Sequence, residues 1–271
     1  MTGYNFVIFL RGGTIEMIDK TPEIKIFAGA DAMSRAAAEK IVEHLFESLQ
    51  THNVYSIVLS GGSTPKRLYA MLAGDAELRK QIPWERIHFF WGDERHVPPN
   101  HPDSNYHMAC EALLSKVPVP STNIHRMRGE DPDAGKIAAD YEREIRRFFK
   151  IEIGEVPRFN CVLLGMGSDG HTASLFPGTP ALRESNHLVV ANWVPKFNSF
   201  RITLTAPVLN NAECILFLVS GDEKADILKT VLEGPRAPVR YPAQLVQPKH
   251  GSVEWYLDRS AAKRLVSVQH G

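Results

Sequence analysis

The chain is predicted to fold as an α/β protein, with a mostly parallel sheet covered by helices on both faces. Three observations carry that expectation. Short apolar runs alternate along the sequence with longer stretches of helical periodicity. Several runs are nearly continuous, the pattern of strands buried on both faces. Three of them end in glycine-rich or charged turns, where open α/β sheets present groups to ligands. With 271 residues and 44% hydrophobic content, one large core can be buried, so a single domain is expected over residues 23–271. Residues 1–22 are a separate extension of unassigned role.

In that extension an apolar patch at residues 6–10 precedes Arg11-Gly12-Gly13-Thr14; packing of the patch on a sheet edge or a neighbouring subunit is expected. From Ile24 the alternation begins. Asp31 suits the N-cap of a helix through about Leu49, with Ile41, Leu45 and Leu49 at intervals of four. Residues 56–59 then read as a strand, and Leu68, Met71 and Leu72 mark the helix after it. Strands follow at residues 87–91, 159–164, 188–192, 201–205 and 215–219, with a short one at 243–246. A helix over residues 132–150 shows Ile137, Tyr141, Ile145 and Phe148 or Phe149 along one face; another over 222–232 shows Ile227, Leu228 and Val231. Proline-rich residues 117–120 and 235–238 read as turns.

Lys+Arg and Asp+Glu balance at 31 each, so global charge points to neither nucleic acid nor an anionic membrane. Cys110, Cys161 and Cys214 are an odd number without metal-site spacing and read as reduced thiols. No apolar run approaches the roughly 20 residues of a membrane span, and residues 6–10 are too short for a signal core. A cytoplasmic protein is expected, as a monomer or a small homo-oligomer.

Four constellations carry chemistry. Ser60-Gly61-Gly62-Ser63-Thr64-Pro65 follows a strand and opens a helix, with Ser63 or Thr64 as cap and Pro65 at the first helical position. It is either an ordinary capped turn or an anion site of backbone N–H groups. Trp91-Gly92-Asp93-Glu94-Arg95-His96 is either a surface ion-pair cluster or a guanidinium fork for a phosphate or a carbonyl. Downstream, Asn105 is a polar contact or a cap. Gly165-Met166-Gly167-Ser168-Asp169-Gly170-His171 sets a carboxylate and a histidine on a glycine turn after a strand, a place from which a base can act. Lys196 and Arg201 coat a surface unless their loop folds over the same sheet edge, where they complete an anion pocket.

Read together, these segments resemble the 6-phosphogluconolactonase family from about Ile24 to the end of the chain. The quoted matches are Ser60 to Pro65, Gly92-Asp93-Glu94-Arg95, Ser104-Asn105-Tyr106, Gly165 through Gly178, Arg201-Ile202-Thr203-Leu204-Thr205 and Trp255 to Ala261. The resemblance implies a Rossmann-like fold shared with sugar-phosphate isomerases and deaminases, acting on 6-phospho-D-glucono-1,5-lactone without a cofactor or metal. It carries the phosphate-binding turn to Gly61, Gly62, Ser63 and Thr64, the catalytic histidine to His171, and the family's cations to Arg95, Lys196 and Arg201; Asp169 is expected to orient the imidazole or the turn. Phe197-Asn198-Ser199-Phe200 departs from the family pattern, where more prolines are expected. A glucosamine-6-phosphate deaminase on the same fold is the nearest alternative, although such deaminases follow Asp-Glu with tyrosine. A non-catalytic sugar-phosphate-binding module is the other. Ser168 is not set as a serine nucleophile, because the Gly-x-Ser-x-Gly spacing is missing.

Overall fold

The computed structural model describes residues 7–11, 14–18 and 22–266. In chain order the elements are β1 (Val7–Arg11), β2 (Thr14–Ile18), β3 (Glu23–Phe27), α1 (Ala30–Ser48), β4 (Tyr55–Leu59), α2 (Ser63–Gly74), α3 (Ala76–Gln81), β5 (Ile87–Trp91) and β6 (Asp93–Arg95). They continue with α4 (Asn105–Ala112), α5 (Ala134–Phe149), β7 (Cys161–Leu164), β8 (Val189–Val194), β9 (Ser199–Leu204), α6 (Ala206–Asn210), β10 (Cys214–Val219), α7 (Ala225–Glu233), β11 (Ser252–Asp258) and α8 (Arg259–Ala262).

Six strands form one sheet in the order β3-β11-β10-β7-β4-β5, and every pairing in it is parallel. The two-residue period of a strand divides its side chains between two apolar layers. Val58, Phe90, Val162, Leu164 and Phe217 face a core with Ile137, Tyr141, Ile145 and Leu228. Ile57, Leu59, Phe89, Leu163 and Leu216 face the other, with Ile41, Leu45, Leu68 and Leu72. Helices α5 and α7 therefore cover one face, and α1 and α2 the other.

Strands β8 and β9, expected at residues 188–192 and 201–205, do not join this sheet. They pair antiparallel with each other and with β6 in the order β6-β9-β8. Strand β6 was not foreseen, since three residues holding Asp93, Glu94 and Arg95 carry no apolar signal.

The strand expected at residues 243–246 is instead a 3-10 turn, Pro242–Leu245. Pro242 lacks a backbone donor and fixes φ, and the Gln244 amide is tied to Ala237 N and Val231 O. The Ala243 N–H donates to Gly170 O at 2.8 Å. Two strands of the sheet were not among those expected, β3 and β11; β11 escaped a search for apolar runs because its Glu254 is buried and bonded to Lys25 at 2.8 Å. Two caps also differ: Gly29 rather than Asp31 precedes α1, and Gly62 rather than Ser63 or Thr64 precedes α2. Strands β1 and β2 pair antiparallel as a sheet of their own, whereas Phe6 and the rest of that patch's approach lie outside the described residues.

Candidate active site

Strands β4 and β7 are neighbours, yet their connections leave in opposite directions: β4 leads to β5 on one side, and β7 leads on to β10 on the other. Such a reversal opens a crevice at the carboxyl ends of the two strands, the place where α/β sheets bind ligands. The turn after β4 supplies Gly61 to Thr64, the turn after β7 supplies Asp169 and His171, and β5 next door leads into Asp93 to Arg95. Among the described residues, the buried side-chain polar atoms left without a partner are Ser60 Oγ and Trp91 Nε1, both at this edge.

The turn after β7 is built to hold an imidazole. Gly167 N donates to His171 O at 2.9 Å and Gly170 N to Gly167 O at 3.0 Å, closing the chain on itself. A Cβ at residue 167 would lie 2.1 Å from the His171 ring, so only glycine fits beneath it. Gly170 has φ +77°, a left-handed conformation that glycine adopts without steric cost. His171 Nδ1 is bonded to Asp169 Oδ1, and the ring stacks on Phe176 with centroids 4.0 Å apart.

Lys196 Nζ lies 3.3 Å from the other carboxylate oxygen, Asp169 Oδ2. Partial burial pushes the Asp169 carboxyl up, but the bonds and charge of His171, with Lys196, outweigh that and hold it well below the usual carboxylate range. An ionised carboxylate only accepts, so Nδ1 carries the proton of that bond and Nε2 is the nitrogen left to face a ligand. The arrangement therefore supplies an imidazole of fixed tautomer and orientation.

The turn after β4 gives α2 an N-terminus with Gly62 at φ +106° and no side-chain cap. Gly61 is required for a different reason. A Cβ there would lie 1.9 Å from Asn105 Oδ1, so the Asn105 amide sits where a side chain would be. Asn105 is thus a polar contact; the cap of α4 is Ser104, which accepts from His107 N at 3.1 Å.

Asp93 joins the two turns. Its backbone carbonyl accepts from Asn105 Nδ2 at 2.8 Å, and its Oδ2 accepts from Ser174 Oγ at 2.6 Å. Glu94 is fully enclosed; burial raises its carboxyl, while N–H groups of Tyr106, Asn105 and Arg95 pull it back. Neither carboxylate makes the surface ion pair that was one reading of this run. Sequence reasoning missed the linking role of Asp93 and Ser174, because nothing in residue spacing joins positions 81 apart.

The three cations divide. Lys196 stands with Asp169, whereas Arg95 and Arg201 are direct cross-strand partners in the β6–β9 pair. Their guanidinium groups donate to backbone carbonyls, of Asp103 and Phe200 respectively. Burial lowers the Arg201 pKa and the charge of Arg95 lowers it further. Like charges facing each other across strands are destabilising, and an anion between them would reverse that sign. Ser168, by contrast, is exposed, and the Nδ1 beside it is committed to Asp169.

Comparison with known proteins identifies what this chain is similar to. Residues 28–255 match the family of glucosamine-6-phosphate isomerases/6-phosphogluconolactonase. A 6-phosphogluconolactonase from Synechocystis is 39% identical over 244 residues, covering 90% of this chain and 98% of that protein. The solved 6-phosphogluconolactonase from Trypanosoma cruzi superposes with a TM-score of 0.79 at 33% identity, covering 91% of this chain and 98% of its own. A monomeric glucosamine-6-phosphate deaminase superposes with a TM-score of 0.74 at 20% identity, which shows a shared fold. Among the described residues, no helix is long and apolar enough to cross a membrane.

Proposed function

The chain belongs to the glucosamine-6-phosphate isomerase/6-phosphogluconolactonase family, and from that premise we infer that it hydrolyses 6-phospho-D-glucono-1,5-lactone to 6-phospho-D-gluconate in the oxidative pentose phosphate pathway. The observation that supports this chemistry best is the pairing of His171 with an ionised Asp169 at the crevice, beside two facing arginines.

In this reading His171 Nε2 takes a proton from a water whose oxygen bonds to the lactone carbonyl carbon. Asp169 holds the imidazole and steadies the charge it gains. As the bond from that carbon to the ring oxygen breaks, the histidinium returns its proton to the leaving oxygen. The N–H groups of Gly167 and Gly170 close the turn, so the oxygen that becomes negative is met by a cation, Arg95. The phosphate lies against Arg201 and the N-terminus of α2 at Gly61 to Thr64, and its remote binding energy orients the lactone. Lys196 acts beside Asp169. Free Cys110, Cys161 and Cys214 fit a reducing compartment, and the cytoplasm is the location assigned.

The test is the decay of freshly generated lactone with and without the protein, since only acceleration above spontaneous opening counts. Acceleration that is lost in His171→Ala supports the reading. Folded protein that gives none overturns it; ammonia release from glucosamine 6-phosphate would then favour the deaminase, and saturable binding without turnover the binding module.

A further inference from the structure

Phe197 stands at the tip of the β8–β9 hairpin, where a 3-10 turn, Pro195–Phe197, leads into Asn198 at φ 46°. Asparagine tolerates that left-handed conformation better than most residues. Val194 and Ser199 form the last pair of the hairpin, so the tip is four residues long and its side chains have little freedom to exchange places. The Phe197 ring is 45% exposed, an expensive place for a large apolar group unless it does something there.

Its neighbours are chemically specific. Phe197 meets Phe176 edge to face with centroids 5.6 Å apart, and Phe176 is the residue on which His171 stacks. Lys196 Nζ lies 5.5 Å from the Phe197 centroid and the Arg201 guanidinium carbon 5.0 Å from it. Both distances fall within the range in which a cation is attracted to a ring's negative face. One ring therefore touches both hairpin cations while resting on the wall of the base. Among the described residues no carboxylate forms an ion pair with Arg201, whose guanidinium bond goes to the Phe200 carbonyl.

Resting on the lactonase reading above, we propose that Phe197 is a positioning residue for substrate recognition: its ring, anchored on Phe176, holds Lys196 and Arg201 in place for the phosphorylated lactone. An aromatic ring suits this task better than a carboxylate. It orders Arg201 without neutralising it, so that charge stays available to the phosphate, while Lys196 keeps its ion pair with Asp169.

The experiment compares Phe197→Ala, Phe197→Leu, Phe197→Tyr and Phe197→Trp on 6-phosphogluconolactone and on unphosphorylated glucono-1,5-lactone, with folding checked by circular dichroism and thermal melting. The expected result is a KM for the phosphorylated lactone raised roughly 5- to 30-fold in the alanine and leucine variants, a cation–π loss of two contacts. The loss on the phosphorylated lactone should exceed that on the unphosphorylated one at least about fivefold, and tyrosine or tryptophan should restore it. Leucine fills the space without a ring quadrupole, so full rescue by leucine would reduce the role to packing and overturn the proposal. Equal losses on both lactones, or an unchanged KM, would overturn it too. The wild-type protein and His171→Ala run alongside: an inactive wild type means failure of the lactonase reading, whereas an active wild type with indifferent Phe197 variants means failure of this proposal alone.

Discussion

At the carboxyl edge of the sheet His171 meets Asp169 on a glycine turn beside Lys196; on β5 and its flank His125 meets Glu144 at 2.7 Å, with His88 2.9 Å from its other nitrogen. Both are histidine–carboxylate pairs, and both rings lie against phenylalanine, His125 on Phe90 at 4.3 Å and His171 on Phe176 at 4.0 Å. The difference is in what remains. His125 has both ring nitrogens engaged by protein, whereas His171 Nε2 has no protein partner among the described residues and stands in a crevice lined by cations. A base needs a nitrogen left over and a ligand site to aim it at. The second pair is a structural lock between β5 and α5.

The comparison breaks most visibly at the two histidines. His171→Ala should lower kcat by roughly 10² to 10⁴-fold, the usual worth of general-base catalysis, with the fold retained. His125→Gln should leave kcat within about twofold. Similar losses in both, measured by initial rates on fresh lactone, would end the distinction.

A second, smaller effect concerns the cations that only the first pair has. Arg201→Ala should raise KM for the phosphorylated lactone roughly 10- to 150-fold, the equivalent of losing a charge-assisted hydrogen bond of about 1.5 to 3 kcal/mol. An unchanged KM removes Arg201 from the phosphate. Gly167→Ala sharpens the point from the backbone side. Its Cβ would meet the imidazole at 2.1 Å, so kcat should fall about tenfold or more while KM changes little.

The smallest effect is on stability and belongs to the second pair. Burial, and then the neighbouring His125, lower the His88 pKa from 6.5 to about 4. The folded state thus binds fewer protons than the unfolded chain between those values, and stability present above pH 6.5 is lost as pH falls towards 4. His125 is the titratable group bonded to it, so His88→Gln should flatten the fall in Tm over that window by a few degrees. A slope identical to the wild type's would show that the lock carries no such dependence. Turnover should be within about twofold of wild type in either case.

Much of this was readable along the chain. The glycine turn after an apolar run singled out His171 and Asp169, which the structure bonds to each other, because glycine content and strand-end position are local properties. The buried parallel strands β4, β5, β7 and β10 were legible for the same reason: burial on both faces leaves a nearly continuous apolar run. Strand β11 was not, since its buried Glu254 is neutralised by Lys25 from β3, a partner 229 positions away. Residues 243–246 misled in the opposite sense, apolar enough for a strand yet turned by Pro242 to close over Gly170.

Local patterns along the chain were enough for the layered α/β architecture, for Asp169 and His171 together on one glycine turn after a strand, and for a set of three candidate cations, Arg95, Lys196 and Arg201. Only the tertiary structure decided how that set divides. Arg95 and Arg201 become neighbours through an antiparallel pairing between residues 106 positions apart in number, and Lys196 is drawn to Asp169 by the fold of a hairpin tip. The physical reason is that periodicity and turn chemistry are local, set by a residue and its near neighbours, whereas register and charge pairing are fixed by which surfaces the cores bring together.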